Sequence, residues 1–205
     1  MNIAEYKNLS KIIAAYLKLD FQSTVLSNTA SQKYDRTTAF ICDEYHEYVT
    51  TSDSEFFAQS REAKCISIVA TQSYSSLLNS IKDASAVKAI TQNLVNKLWF
   101  RTDDIFTIEE AQKQLGKEEK KRFSKTVSEN AKETNYDYLT GSLKSQNSNI
   151  SESFNTYTQF EFSYDTKDFT QNLKTFHCIA FLSTGSFVLD PCIIKTIPYF
   201  QDNNN

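Results

Sequence analysis

Asp43 and Glu44 follow directly on the apolar run Ala39-Phe40-Ile41-Cys42, so two adjacent carboxylates end what reads as a short strand. Such a run fits an inner strand of a parallel sheet, buried on both faces, and ligands of these sheets sit beyond the carboxyl ends of the strands. The chemistry two carboxylates can do there is metal-assisted phosphoryl transfer. One holds Mg²⁺, through water, on nucleotide phosphates, while its neighbour orients or deprotonates the attacking water. Asp43 takes the metal in this reading and Glu44 the water. A plainer reading stands beside it, because Asp-Glu is also a common way for a strand to enter a solvated loop.

The next residues add a neutral amide and a cation. Ser52 and Ser54 can cap a helix carrying Phe56, Phe57 and Ala63 near helical spacing. Cys65-Ile66-Ser67-Ile68-Val69-Ala70 is β-rich and is expected to pair beside the first strand. Thr71-Gln72-Ser73 then brings Gln72 to the same sheet edge as Asp43, where its amide can sense a phosphate or a water; otherwise it caps the next helix. Arg61 precedes this second strand and so lies at the opposite end of the sheet. From there it can reach a neighbouring subunit's nucleotide as an arginine finger in trans, which requires pockets at subunit interfaces; as a bland alternative it is a surface cation.

These residues resemble the type IV secretion coupling proteins of the TraD/TraG group, the hexameric DNA-pumping ATPases of conjugation. Asp43-Glu44 is similar to the family's Walker B pair, and Arg61 with Gln72 has the spacing of its finger and sensor glutamine. The stretch from Phe56 to Ser73 is similar in residue type as well. So are Asn93 to Arg101, the helix from Thr107 to Gly116, the opening Leu17 to Gln22, and the terminal run from Phe169 through Leu173, Ala180, Gly185, Pro191 and Pro198-Tyr199-Phe200. The resemblance covers most of the chain outside 126–160. It implies an α/β, partial RecA-like P-loop NTPase motor with ATP and Mg as cofactors. It also implies single-stranded DNA and the relaxosome, secretion components and further subunits of a homo-hexamer as partners, at the cytoplasmic face of the inner membrane. Asp43 and Gln72 would contact the nucleotide, with Glu44, Gln72 and Arg61 catalytic.

One departure limits this. A P-loop needs Gly-x-x-x-x-Gly-Lys-Ser/Thr so that backbone N–H groups can approach the phosphates. The chain has only 3 glycines, Gly116, Gly141 and Gly185; Gly116-Lys117 is preceded by Ala111 where a glycine is needed and followed by Glu118 where a hydroxyl is needed. The chain is therefore read as the C-terminal portion of a coupling protein, lacking the Walker A half. Alone it is expected to bind ATP poorly and not to hydrolyse it. Two alternatives remain: a non-catalytic module docking relaxosome or secretion components, and a fragment of an FtsK- or HerA-like translocase.

Composition sets outer limits. With 205 residues, 40% hydrophobic and 23% charged, the chain can bury a core. No apolar run reaches the roughly twenty residues of a membrane span, and no signal peptide opens the chain, so a cytoplasmic location is expected. Cys42, Cys65, Cys178 and Cys192 occur singly and read as buried thiols. His46 and His177 join no recognisable metal set. With 22 basic and 25 acidic residues, any nucleic-acid contact must be local. The best local candidate is Lys113, Lys117, Lys120, Lys121, Arg122 and Lys125, expected along a helical flank; interleaved with Glu109, Glu110, Glu118 and Glu119, it reads first as a solvated, salt-bridged surface and only second as a phosphate contact.

The elements that must position these residues alternate as a parallel sheet requires. Residues 1–125 are expected to be the C-terminal half of the motor: an opening helix around Ile12 to Leu19, the two central strands, helices near Ser75 to Leu78 and Ala86 to Val95, a strand Lys97 to Arg101 and a helix from Thr107. Arg101 reads as the polar end of its strand or as a second nucleotide-facing cation. Residues 126–160 are rich in Ser, Asn, Thr and Tyr and read as a polar linker or loop. Residues 161–205 read as β-rich, turning at Ser183-Thr184-Gly185-Ser186, and are expected to add strands to the edge of the motor sheet. A sheet without its P-loop strand is expected to leave part of a face or edge exposed.

Overall fold

The computed structural model describes residues 7–31, 36–129, 136–137, 139, 142–143 and 150–198. Asn203 to Asn205, expected to fray, lie outside the described residues. Two compact units divide the chain: Met1–Leu115 with Tyr164–Asn205, and Gly116–Ser163.

The larger unit opens with α1 (Lys7–Ser31), followed by β1 (Thr38–Cys42), a 3₁₀ turn (Tyr45–Glu47), α2 (Asp53–Gln59) and β2 (Cys65–Val69). β1 and β2 pair in parallel with Ala39 opposite Ile66 and Ile41 opposite Ile68. The turn residue Tyr45 continues this ladder by donating its N–H to the Ala70 carbonyl at 2.8 Å. Alternation sends Phe40 and Cys65 into a core with Phe56, Phe57, Leu77, Val87 and Ile90. Phe40 lies in an aromatic cluster, 5.8 Å from Phe56 and 6.3 Å from Phe57 between ring centroids. Burying each such side chain contributes about 1.5–3 kcal/mol. The opposite face of the strand pair is uncovered among the described residues: Ile41 is 72% exposed, and Ile66 and Ile68 are 54% exposed. The expectation of two covered faces fails here, and that of an exposed sheet face holds.

α3 (Tyr74–Ile81) and α4 (Ala84–Asn93) follow, each with a side-chain cap at its start. The Ser73 hydroxyl accepts from Ser76 N–H, and the Asp83 carboxylate accepts from Ser85 and Ala86 N–H. β3 (Lys97–Trp99) leads to α5 (Ile105–Leu115). Asp104 heads α5, accepting from Thr107 N–H at 2.9 Å and from the Ser75 hydroxyl at 2.6 Å. Burial alone would raise the Asp104 carboxyl, but these hydrogen bonds outweigh it and hold the group below its usual value.

β8 (His177–Phe181) and β9 (Cys192–Lys195) complete this unit. The β-rich return is present, with β8 and β9 antiparallel and a bridge between Ser183 and Val188 closing the expected turn region. Its place differs from expectation. β8 pairs antiparallel with β3, giving a three-stranded sheet β3-β8-β9 separate from β1-β2. The described strands thus form a mixed α/β fold of small sheets whose one parallel pair has two strands. The local sequence of β3 fits either sheet; Ile179 and Phe169, both fully buried with Trp99, Ile108 and Leu115, create the second core that draws β3 to β8.

The smaller unit corrects two expectations. The Lys113 to Lys125 series does not share a helix, because α5 stops at Leu115 and Gly116 takes φ 84, a left-handed exit that glycine adopts without strain. Beyond it, β4 (Lys117–Glu129) pairs antiparallel with β7 (Ile150–Phe162) over 13 residues each. Part of the stretch read as linker, 126–160, is therefore strand. Its partner lies some thirty residues away, so local periodicity did not reveal it. A two-residue pair, β5 (Tyr136–Asp137) with β6 (Ser142–Leu143), lies between them. Lys117, Lys121, Phe123 and Lys125 share one face of the long hairpin with Phe154 and Phe160, and Arg122 sits on the other, paired with Glu161 at 2.7 Å.

Candidate functional site

The site is built on the carboxyl ends of β1 and β2. Parallel pairing places Cys42 beside Val69, so the residues after each strand emerge together: Asp43-Glu44 from one, Thr71-Gln72 from the other. Glu44 takes φ 49 and ψ 42, a left-handed conformation that costs a non-glycine residue about 1 kcal/mol. Its N–H donates to Asp43 Oδ1 at 2.9 Å, which steadies the bend. Gln72 Nε2 donates to Glu44 Oε1 at 3.3 Å. Asp43, Glu44 and Gln72 are all exposed, so the carboxylates are open to a ligand.

The structure thus brings together three of the four site residues read from sequence. Arg61 lies in the turn between α2 and β2, exposed, at the amino end of β2. At about 3.3 Å per residue, the strand alone separates it from Gln72 by roughly 16 Å. Arg101 is exposed just after β3, a strand of the β3-β8-β9 sheet.

Two further groups around the site were not legible as such. His46, two residues beyond Glu44, places Nδ1 3.5 Å from Glu44 Oε2 and 3.3 Å from the Thr71 hydroxyl, with Nε2 3.8 Å from Glu47 Oε1. Lys11 of α1 pairs with the other oxygen of Glu47.

The second group is a buried polar cluster behind the turn. Asp53 is 0% exposed and binds Lys18 Nζ at 2.7 and 2.6 Å, the Tyr45 hydroxyl at 2.7 Å and Gln22 Nε2 at 3.2 Å. Thr50 adds its N–H at 3.1 Å and its hydroxyl at 2.9 Å. Burial pulls the Lys18 amine below its ordinary value, opposed by the hydrogen bond and charge of Asp53. Burial, then the Asp53 charge, pushes the Tyr45 hydroxyl far up. Cys42, beside this cluster, is raised by burial as well. The sequence signal was Lys18 and Gln22 at four-residue spacing on the helix face that turns inward. Asp53, between Ser52 and Ser54, was not singled out from sequence, and Ser52, expected to cap the helix, makes no side-chain cap bond.

All four cysteines are free: Cys65 and Cys178 are buried, Cys42 is half-buried, and Cys192 is exposed, contrary to the buried-thiol reading of all four. Among the described residues no group of His, Cys, Asp and Glu is arranged to hold a metal directly. Among them, too, no helix is long and apolar enough to cross a membrane.

The family described as "TraM recognition site of TraD and TraG" matches residues 37–163. The match begins just before β1, takes in Asp43, Glu44, Arg61 and Gln72, and ends with the long hairpin. It spans more than half of the chain, which belongs to this family and is a C-terminal region of a conjugative coupling protein of the TraD/TraG type. A search among curated proteins finds no match to the chain.

Proposed function

We propose that the chain is the Walker B half of a RecA-like conjugative DNA motor, with Asp43 and Glu44 serving nucleotide hydrolysis when a P-loop half completes the site. The observation that supports this best is the in-register parallel pair β1-β2, which sends Asp43-Glu44 and Gln72 out of the same sheet edge with Gln72 Nε2 3.3 Å from Glu44 Oε1. Asp43 suits a water-mediated Mg²⁺ ligand: it is exposed, and the hydrogen bond from Glu44 N–H engages Oδ1 only. Bound Mg²⁺ would neutralise charge on the nucleotide phosphates. Glu44, open to solvent, orients the attacking water and accepts its proton. Gln72 holds the Glu44 carboxylate from the side and is positioned to sense the terminal phosphate. Arg61, at the opposite sheet edge, acts on the nucleotide of a neighbouring subunit in the hexamer.

The uncovered apolar face of β1-β2 suits a sheet that the other half extends and covers. Single-stranded DNA delivered with the relaxosome is the cargo in this reading, and the cytoplasmic face of the inner membrane the place of work. Neither ATP binding nor turnover is expected of the chain alone, since it carries no P-loop sequence.

A second reading draws on the family description. In it the chain recognises the relaxosome component TraM, or another secretion component, without catalysis of its own. The long hairpin, inside the matched residues, exposes Phe123 by 79% and Phe154 by 69% on one face and supplies apolar surface for such contact.

Titration with a fluorescent ATP analogue and Mg²⁺, on the chain alone and mixed with a P-loop-bearing half from a relative, separates the two. The motor reading expects binding only in the mixture, lost in Asp43→Ala, with turnover lost in Glu44→Gln. Binding in neither sample rejects it and leaves partner recognition.

A further inference from the structure

We infer that His46 is a positioning residue for Glu44, holding its carboxylate from the side opposite Gln72. The inference deepens the motor reading, on which the value of positioning Glu44 rests. Its geometric content stands on the distances alone.

Glu44 bends out of β1 in the left-handed region, with its side chain 49% exposed. Gln72 restrains Oε1 at 3.3 Å. The other oxygen, Oε2, faces His46 Nδ1 at 3.5 Å. The imidazole is itself fixed. Its neighbour Tyr45 is fully buried, pinned by its N–H to Ala70 and by its hydroxyl to Asp53, so the 3₁₀ turn carrying His46 cannot swing freely. The Thr71 hydroxyl lies 3.3 Å from Nδ1, and Glu47 stands 3.8 Å from Nε2 while paired to Lys11. The His46 side chain is 13% exposed against 49% for Glu44. A restrained, mostly buried ring thus reaches an open carboxylate. Nδ1 lies within reach of both Glu44 and the Thr71 hydroxyl, and a proton carried on Nδ1 would be shared between them. A carboxylate flanked by an amide donor on one oxygen and an imidazole 3.5 Å from the other has few directions left to it, which is what a group that must orient a water requires.

The test is a comparison of three full-length chains by carbon-13 and nitrogen-15 resonance: wild type, His46→Leu and His46→Asn. Asparagine keeps an N–H donor near the Nδ1 position, and leucine keeps bulk without a donor. The expected result is that the Glu44 carboxyl carbon and the Gln72 side-chain amide both move in His46→Leu, and that His46→Asn returns both toward their wild-type positions. Unchanged Glu44 and Gln72 resonances in a folded His46→Leu chain overturn the inference, as does displacement that His46→Asn fails to reverse. Where the leucine variant does not fold, Glu44→Gln reads the same contact from the other side: the His46 Nδ1 resonance must move, and if it stays the inference is wrong. None of these readouts uses ATP, so failure of the hydrolysis reading and failure of this one are told apart.

Discussion

Lys18, Gln22, Tyr45 and Asp53 are buried and joined by side-chain bonds of 2.6–3.2 Å, whereas Asp43, Glu44 and Gln72 are exposed, with one side-chain bond among them, Gln72 to Glu44 at 3.3 Å, and a backbone bond from Glu44 N–H to Asp43 Oδ1 at 2.9 Å. Both clusters draw on residues 43–53. In the first, the Asp53 carboxylate is saturated by an ammonium, a hydroxyl, an amide and the Thr50 backbone, so it has no capacity left for a ligand. In the second, carboxylate oxygens remain open to solvent and the backbone of Glu44 is strained. A saturated acid fixes structure; an unsaturated, strained one is available to bind or react. The contrast separates two carboxylates that look alike in a one-dimensional sequence.

Asp53→Ala is expected to have the largest effect, because it strands the Lys18 ammonium in the interior. A loss of about 3–5 kcal/mol in urea unfolding is expected. The double variant Lys18→Met with Asp53→Leu should recover only the part due to the stranded ammonium, since the Tyr45 hydroxyl, the Gln22 amide and the Thr50 N–H still lose their acceptor. If Asp53→Ala unfolds at the wild-type midpoint, the cluster does not hold the fold and the contrast collapses.

Tyr45→Phe removes one hydroxyl from the same carboxylate and should cost about 1.5 kcal/mol. It also carries a pH signature. The folded Tyr45 hydroxyl is raised above its ordinary 10.0, by burial first and then by the Asp53 charge. Unfolded tyrosine therefore loses its proton above pH 10 while the folded residue keeps it, so this contribution is present below that pH and is lost as pH rises beyond it. The phenylalanine variant should show a shallower alkaline decline in an unfolding series across that range.

Glu44→Gly should act in the opposite direction, stabilising by about 1 kcal/mol through relief of the left-handed strain. A destabilised glycine variant would show that Glu44 is held by contacts stronger than those of an open site.

Smallest of all is Gln72→Ala, expected within about 0.5 kcal/mol of wild type by thermal melting. A larger loss would move Gln72 from the open cluster into the structural one.

Local sequence carried a good part of this molecule. Apolar runs ending in polar pairs located β1 and β2, their parallel pairing and the emergence of Asp43-Glu44 and Gln72 at one edge; helical spacing located α3, α4 and α5 within a few residues. The family match over residues 37–163 takes in Phe56 to Ser73, Asn93 to Arg101 and Thr107 to Gly116, on which the resemblance rested, and also 126–160, on which it did not; Leu17 to Gln22 and the run from Phe169 lie outside it. The buried role of Asp53 escaped because an acid between Ser52 and Ser54 carries no local mark of Lys18 and Gln22, the α1 side chains more than thirty residues away that bind it. The approach of His46 to Glu44 escaped because a 3₁₀ turn, set by Tyr45 reaching Ala70, decides where the ring lies.

What the sequence by itself determined is the chemistry available and the direction in which each strand delivers it, because side-chain type and periodicity are local properties. Tertiary structure decided which acid became inert, which sheet β3 joined, and that Lys117 to Glu129 is a strand and not a helix. Each of those outcomes depends on a partner about thirty to eighty residues away: Lys18 for Asp53, β8 for β3, β7 for β4. Burial and pairing energies act between such distant segments, and local propensity, worth about 1 kcal/mol per residue or less, yields to them.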